Sequence, residues 1–275
     1  MQKLVAILAL TLLSGCMSTV LAKPTIHVSP YLAVYQLRGK SKMQSEVDPT
    51  NPGALRNNPS QDMRSFGQDR HRDDVGLRAD IGDGFAGIRA DYYRLDMNTS
   101  RSGQLEDDWG RLLEGDFVSM YAEMDEFRIG YVEPLADFHT TYRDEDLHFQ
   151  FAAGGVFASR SMTLRGKDNT KTRSQNLTID GDVIYLAARA RANWMQFSLD
   201  IDYAAAPEVF VLSGDVEDFS QDLEARLSYQ LPQRDMSLFA GVRYSVFNAS
   251  GDANGFRYEN DMIIDGFQLG VAVTF

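Results

Sequence analysis

The chain is expected to fold as an all-β, antiparallel up-and-down barrel that crosses a membrane, and three features of the sequence predict this. Apolar residues recur at every second position through many segments of strand length. Charged residues occupy the alternate positions inside several of those segments, as a polar barrel interior requires. Long polar connections alternate with short ones along the chain, the usual asymmetry of membrane barrels.

The elements follow in order from the first residue. Lys3, the apolar run 4–13 and the small residues leading to Val20-Leu21-Ala22 have the three-zone anatomy of a secretory signal peptide. The run is too short to span a bilayer as a helix, which takes about 20 residues. Cleavage after Ala22 makes 1–22 the signal and 23–275 a single barrel domain. Leu13-Ser14-Gly15-Cys16 also resembles the lipobox of bacterial lipoproteins, which would lipidate Cys16, the only cysteine. Met17 stands where the inner-membrane retention signal would place an aspartate, so both routes imply the same outer destination.

The barrel begins with 26–38. Segments 74–81 and 85–97 form a hairpin about Gly82-Asp83-Gly84, a strong turn signal. Residues 117–124 and 127–132 read as the next hairpin, followed by strands at 135–142, 147–164 and 177–191. Met195, Phe197, Leu199, Ile201 and Tyr203 then alternate with Gln196, Ser198, Asp200 and Asp202. Phe219, Leu223, Ala225, Leu227 and Tyr229 alternate with Ser220, Asp222, Glu224, Arg226 and Ser228. The polar turn 231–235 leads to Met236, Leu238, Ala240, Val242, Tyr244 and Val246, interleaved with Ser237, Gly241, Arg243 and Ser245. The last strand, 262–275, places Phe267, Leu269, Val271, Val273 and Phe275 on one face and Gln268, Gly270, Ala272 and Thr274 on the other.

This closing strand resembles the terminal β-signal of Gram-negative outer-membrane barrels, in which a final aromatic residue ends an alternating strand. The resemblance implies an outer-membrane location and, as partners, the barrel-assembly machinery, periplasmic chaperones, lipopolysaccharide and phospholipid. It carries no functional residue beyond the assembly signal at Phe267, Leu269, Val271, Val273 and Phe275. A single-chain bacterial barrel has an even number of strands. The segments above make twelve, provided that 127–142 is broken near Pro134. Ten strands, or eight, are the alternatives. The long polar segments 39–72, 98–116, 166–176, 205–218 and 248–261 then lie outside the cell, and the short turns lie in the periplasm.

Composition agrees with one face in lipid and one in a polar lumen. The chain holds 16 Phe, 12 Tyr and 2 Trp, yet its net charge is −12, which argues against nucleic acid as a partner. Tyr31, Tyr35, Tyr92, Tyr93, Trp194, Tyr203, Tyr229 and Tyr244 lie near strand ends, as interface girdles do, with some left to fill the lumen.

The expected lumen carries Arg78, Asp80, Arg89, Asp91, Arg128, Asp200, Asp202, Asp222, Glu224, Arg226 and Arg243. In a narrow barrel these pair into an ion network that occludes the lumen, because unpaired charges in a low-dielectric interior are costly. In a wider one they set the selectivity of a small channel. Catalysis has one candidate, His139 with Thr141 and Asp137 on the same strand face. The spacing resembles the His-x-Ser of the outer-membrane phospholipase, but threonine replaces the nucleophilic serine. His71-Arg72-Asp73-Asp74 reads as a solvated loop end and Glu106-Asp107-Asp108 as an acidic loop. No metal site and no cofactor is expected. The sequence therefore points to a structural or surface-interaction role in the envelope. A narrow channel for polar solutes, a lipid-acting hydrolase and a surface lipoprotein are the alternatives, and the oligomeric state is open.

Overall fold

The computed structural model describes residues 25–47, 53–68, 70–98, 101–170, 172–207 and 210–275, the side chains of 98 and 217–219 excepted. Cys16 and the cleavage site after Ala22 lie outside the described residues.

Ten long strands carry the fold: β1 (Thr25–Met43), β2 (Arg72–Gly82), β3 (Gly87–Asn98), β4 (Phe117–Tyr142), β5 (Glu145–Asp168), β6 (Ser174–Trp194), β7 (Phe197–Ala206), β8 (Val216–Gln230), β9 (Met236–Ala253) and β10 (Phe256–Thr274). Each pairs antiparallel with the next, and β10 pairs with β1 through Val28↔Val273 to Met43↔Tyr258, so the pairings return to their start. A closed ring leaves no long strand without partners on both sides. Phe275 completes the closure: its N–H donates to the Ile26 carbonyl at 2.8 Å, and the Ile26 N–H returns a bond of 3.3 Å.

The ring has ten strands where twelve were expected, because 117–124, 127–132 and 135–142 are one strand. Asp125-Glu126 between two apolar runs reads as a turn, yet Glu126 points inward and is fully buried. Pro134, which cannot donate to a ladder, sits at a register shift between β4 and β5 rather than at a strand end. Removing two strands keeps the number even. Turns 83–86, 143–144, 195–196 and 231–235 accordingly lie at the ring end that carries Thr25 and Phe275, called the lower end below.

The upper connections are shorter than expected. Segment 248–261 is strand except at Asn254-Gly255, and 166–176 shrinks to 169–173. Within 39–72, Ser45–Glu46 pairs with Leu55–Arg56, Gln61–Asp62 pairs with β1, and Met63–Phe66 forms a 3-10 turn. Gly103–Gln104 pairs with β4, and Val211–Gly214 with β6. The cause is a change of surroundings. Above the level of Asp265 the outer face is charged, with Arg38–Asp265 at 2.7 Å and Lys42–Glu259 at 3.0 Å. Strands there look like loops because only their inward residues, such as Phe247, Ala249, Phe256 and Tyr258, are apolar and buried.

Below that level the outer face is apolar. Leu32, Leu77, Leu199, Leu223, Leu227, Leu238, Val242, Phe267 and Leu269 are all exposed. From Phe267 to Phe275 a strand tilted by about 35–45° rises roughly 19–22 Å, most of the ~25 Å height of the apolar band of a membrane barrel. Tyr92, Tyr203 and Tyr244 face outward, Trp194 stacks edge-on with Tyr142 at 6.1 Å, and Phe197 lies 5.1 Å from Tyr229. Tyr31, Tyr35 and Tyr93 point inward and are buried, so they fill the ring and form no girdle.

Candidate functional site

The ring interior is built in two storeys. Inward positions of the upper halves of β1, β3, β4, β5, β6, β9 and β10 are mostly apolar, and the connections above fold down onto them. Met63 and Phe66 come from the first connection, and Leu105, Trp109 and Leu112 from the second. Trp109 is fully buried, meets Phe66 edge-on at 5.3 Å, and donates its indole N–H to Ser41 Oγ at 2.8 Å. The upper half is thus packed largely like a soluble core, with Ser41, Gln61, Gln68, Gln175 and Asn260 buried among the apolar side chains.

Beneath it lies an ionic layer. Glu126 accepts from Tyr93 Oη at 2.8 Å, from Arg243 Nη2 at 3.0 Å, from Arg160 Nε at 2.5 Å and from Arg128 Nε. Asp222 takes the other sides of Arg128 and Arg243, at 3.0 Å each. Arg78 forks onto Glu224 at 2.7 and 2.8 Å and reaches Asp91 at 2.9 Å, while Tyr31 Oη donates to the second Asp91 oxygen at 3.0 Å. Arg89 joins Asp80 at 2.5 Å to Asp202 at 2.9 Å, and Asp202 also holds Arg189. Asp200 binds Arg191 at 2.5 Å and Arg226 at 3.5 Å.

Every cation named is arginine, whose planar fork spans two carboxylates where the point charge of lysine would serve one. Arg160 also lies 4.1 Å over the Phe247 ring and Arg243 4.5 Å over Tyr93, which ties the ionic layer to the apolar storey above.

The floor is the turn between β2 and β3. Gly82 and Gly84 take φ of 154° and 82°, the second in the left-handed region that favours glycine. Asp83 Oδ1 accepts from the N–H groups of Phe85 and Ala86 at 2.8 and 2.7 Å, which bends the turn inward. Phe85 is buried under the ring, where Arg189 donates to its carbonyl and Arg191 to that of Gly84 at 2.9 Å. Beside this floor a cavity of about 300 Å³ opens among His27, Asp80, Arg191, Asp200 and Arg226. The second cavity, about 70 Å³ between Arg89, Asp91 and Arg128, is closer to the volume of a few waters than to a pore.

All eleven lumen charges expected from the sequence face the interior: Arg78, Asp80, Arg89, Asp91, Arg128, Asp200, Asp202, Asp222, Glu224, Arg226 and Arg243. Glu126, Arg160, Arg189 and Arg191 belong to the same layer but were not anticipated. Their signal was present, since Glu126 and Arg128, and Arg189 and Arg191, are two apart within strands.

The remaining candidates separate. His139 and Asp137 are together, Nε2 to Oδ1 at 3.2 Å, but no hydrogen bond joins Thr141 to His139 among the described residues. Thr141 instead pairs across the strands with Asp146. Asp74 uses its carboxylate on the N–H groups of Val75 and Asp96. Asp108 holds Arg56 at 2.7 Å and accepts from Ser45 at 3.2 Å, so part of the acidic loop is already engaged.

No protein-family model matches the chain, and neither does any curated protein. Among solved structures it is similar to the outer membrane protease OmpT of Escherichia coli, at 12% identity over 91% of this chain and 97% of that one, TM-score 0.47. It is also similar to the toluene transporter TodX of P. putida, at 10% identity over 91% and 90%, TM-score 0.28. OccK7 of Pseudomonas aeruginosa gives 8% identity over 92% and 99%, TM-score 0.20. Likenesses this loose assign neither an activity nor a residue.

Proposed function

We propose that the chain is an integral outer-membrane β-barrel with a closed lumen, serving a structural or surface-interaction role in the cell envelope. The observation that carries this reading is the occupied interior: an apolar storey capped by Trp109 and Phe66 above, and an ionic layer centred on Glu126 below. The exposed apolar band below Asp265 supports membrane insertion, because a soluble ring would aggregate through it. The charged upper half then stands in water on the cell surface, where lipopolysaccharide is its nearest neighbour. Phospholipid contacts the band, and the barrel-assembly machinery and periplasmic chaperones deliver the chain.

A ten-stranded ring filled in this way supports the occluded reading over the narrow channel, although the lower cavity would be its periplasmic vestibule. Heat-modifiable gel mobility of the outer-membrane fraction tests insertion, together with the mass of the mature N-terminus. A band that shifts on boiling, with an N-terminus at residue 23, is expected. Unchanged mobility with a lipidated Cys16 would favour a surface lipoprotein.

A further inference from the structure

The hairpin of β4 and β5 continues past the ring. The last pair of β4 with β3 is Val132↔Gly87, and residues 133–142 go on with β5 alone beside them. On the inward face of this extension His139 lies directly opposite His148, the rings stacked at 4.1 Å and 10°. Asp137, two residues before His139, brings one oxygen between them. Its Oδ1 lies 2.6 Å from His148 Nε2 and 3.2 Å from His139 Nε2.

From these residues we propose a binding site for one divalent first-row transition ion, of the Zn²⁺ class, held by His139 Nε2, His148 Nε2 and Asp137. The three ligand atoms lie within 4.8 Å of one another. Ligands on a tetrahedral ion at bond lengths of about 2.0–2.2 Å stand roughly 3.3–3.5 Å apart, so small rotations of the side chains suffice. Asp146 supplies the outer carboxylate, its Oδ2 3.4 Å from His139 Nδ1. A carboxylate there favours the proton on Nδ1 and leaves Nε2 to ligate, the usual carboxylate–histidine–metal arrangement.

The arrangement also has an internal reason to want a cation. A neutral imidazole has one N–H, yet both nitrogens of His139 face carboxylates, so the second contact is satisfied only by a further positive group, a proton or a metal ion. A metal at Nε2 converts that contact into shared ligation. His139 and Asp137 are 61% and 54% exposed, which leaves a fourth position to water and an open path of entry. The donor set of two nitrogens and one carboxylate suits Zn²⁺, Cu²⁺ or Ni²⁺ better than Ca²⁺ or Mg²⁺. That the site faces the periplasm rests on the membrane reading above; the site itself does not.

The test is calorimetric titration of Zn²⁺ into the folded, tag-free, full-length barrel in detergent, alongside His139→Ala, His148→Ala, Asp146→Asn and the double histidine variant. One ion per chain is expected. Each histidine variant should weaken binding by at least about 100-fold, and Asp146→Asn by about 10-fold or more. Heat-modifiable mobility confirms that each variant has folded, since the extension lies outside the ring. Unchanged Zn²⁺ binding by the double variant would overturn the proposal, as would no binding by the folded wild type at 100-fold excess. Failure to insert into membranes would count instead against the proposed function.

Discussion

Replacing Glu126 by glutamine should be among the most damaging isosteric changes in the molecule. The carboxylate has no exposed surface and compensates Arg128, Arg160 and Arg243 while accepting from Tyr93. The amide keeps the shape and one acceptor but removes the charge. Arg128 and Arg243 retain Asp222, whereas Arg160 keeps no other carboxylate among the described residues. Leaving one partner of a buried ion pair uncompensated costs about 3–5 kcal/mol. In urea, at a slope of about 2 kcal/mol/M, the unfolding midpoint of the barrel refolded in detergent should fall by roughly 2 M. Adding Arg160→Met removes the orphaned cation and should recover more than half of the loss. A midpoint shift below about 0.5 M for Glu126→Gln would refute the reasoning. So would a double variant less stable than the single one.

Other consequences follow from other layers of the fold. Trp109→Ala empties a buried site and should cost about 3–5 kcal/mol in the same titration, yet create no conductance, because the ionic layer beneath stays shut. At Gly154 a Cβ would stand 2.0 Å from the Tyr131 carbonyl oxygen. Gly154→Val should therefore displace the β4–β5 register and abolish the heat-modifiable band, whereas normal folding would show that the two strands can part. In the upper connection, Thr170 and Thr172 hydroxyls and the Arg173 N–H bond to Asp168 and hold its carboxyl down at about 2. A folded-state value below the ordinary 3.8 stabilises above about pH 4, with the contribution lost as pH falls through about 2. Protection of the Arg173 amide, measured against its intrinsic exchange rate at each pH, should fall as pH drops through that range in the wild type and show no such step in Asp168→Asn. Deleting Phe275 removes the backbone pair with Ile26 and should reduce assembly into the outer membrane; undiminished insertion would count against its role as a signal.

Where the outer face of the ring is apolar, the sequence was legible, because apolar residues outside and charge inside give opposite character to adjacent residues. Phe267 to Phe275 and Leu223 to Tyr229 show this plainly, and the eleven interior charges could be named from it. Higher up the outer face is polar, so Asn248 to Ala253 reads as loop although Phe247 and Ala249 keep the inward phase. The strand count failed at Asp125-Glu126 for a related reason. A local reading takes two acids between apolar runs as a turn, and only the arrival of Arg160 and Arg243 from distant strands makes Glu126 an interior residue. His139 and Asp137 could be named together from the sequence, but the partner His148 could not, because it becomes a neighbour of His139 only through the β4–β5 register.

Single-channel recording of the purified barrel in a planar bilayer tests the closed interior most directly. No discrete conductance steps are expected from correctly folded, heat-modifiable protein at any applied voltage. Regular steps whose size changes in Asp222→Asn or Arg243→Gln would contradict it, because current would then be passing through the layer that should seal the ring.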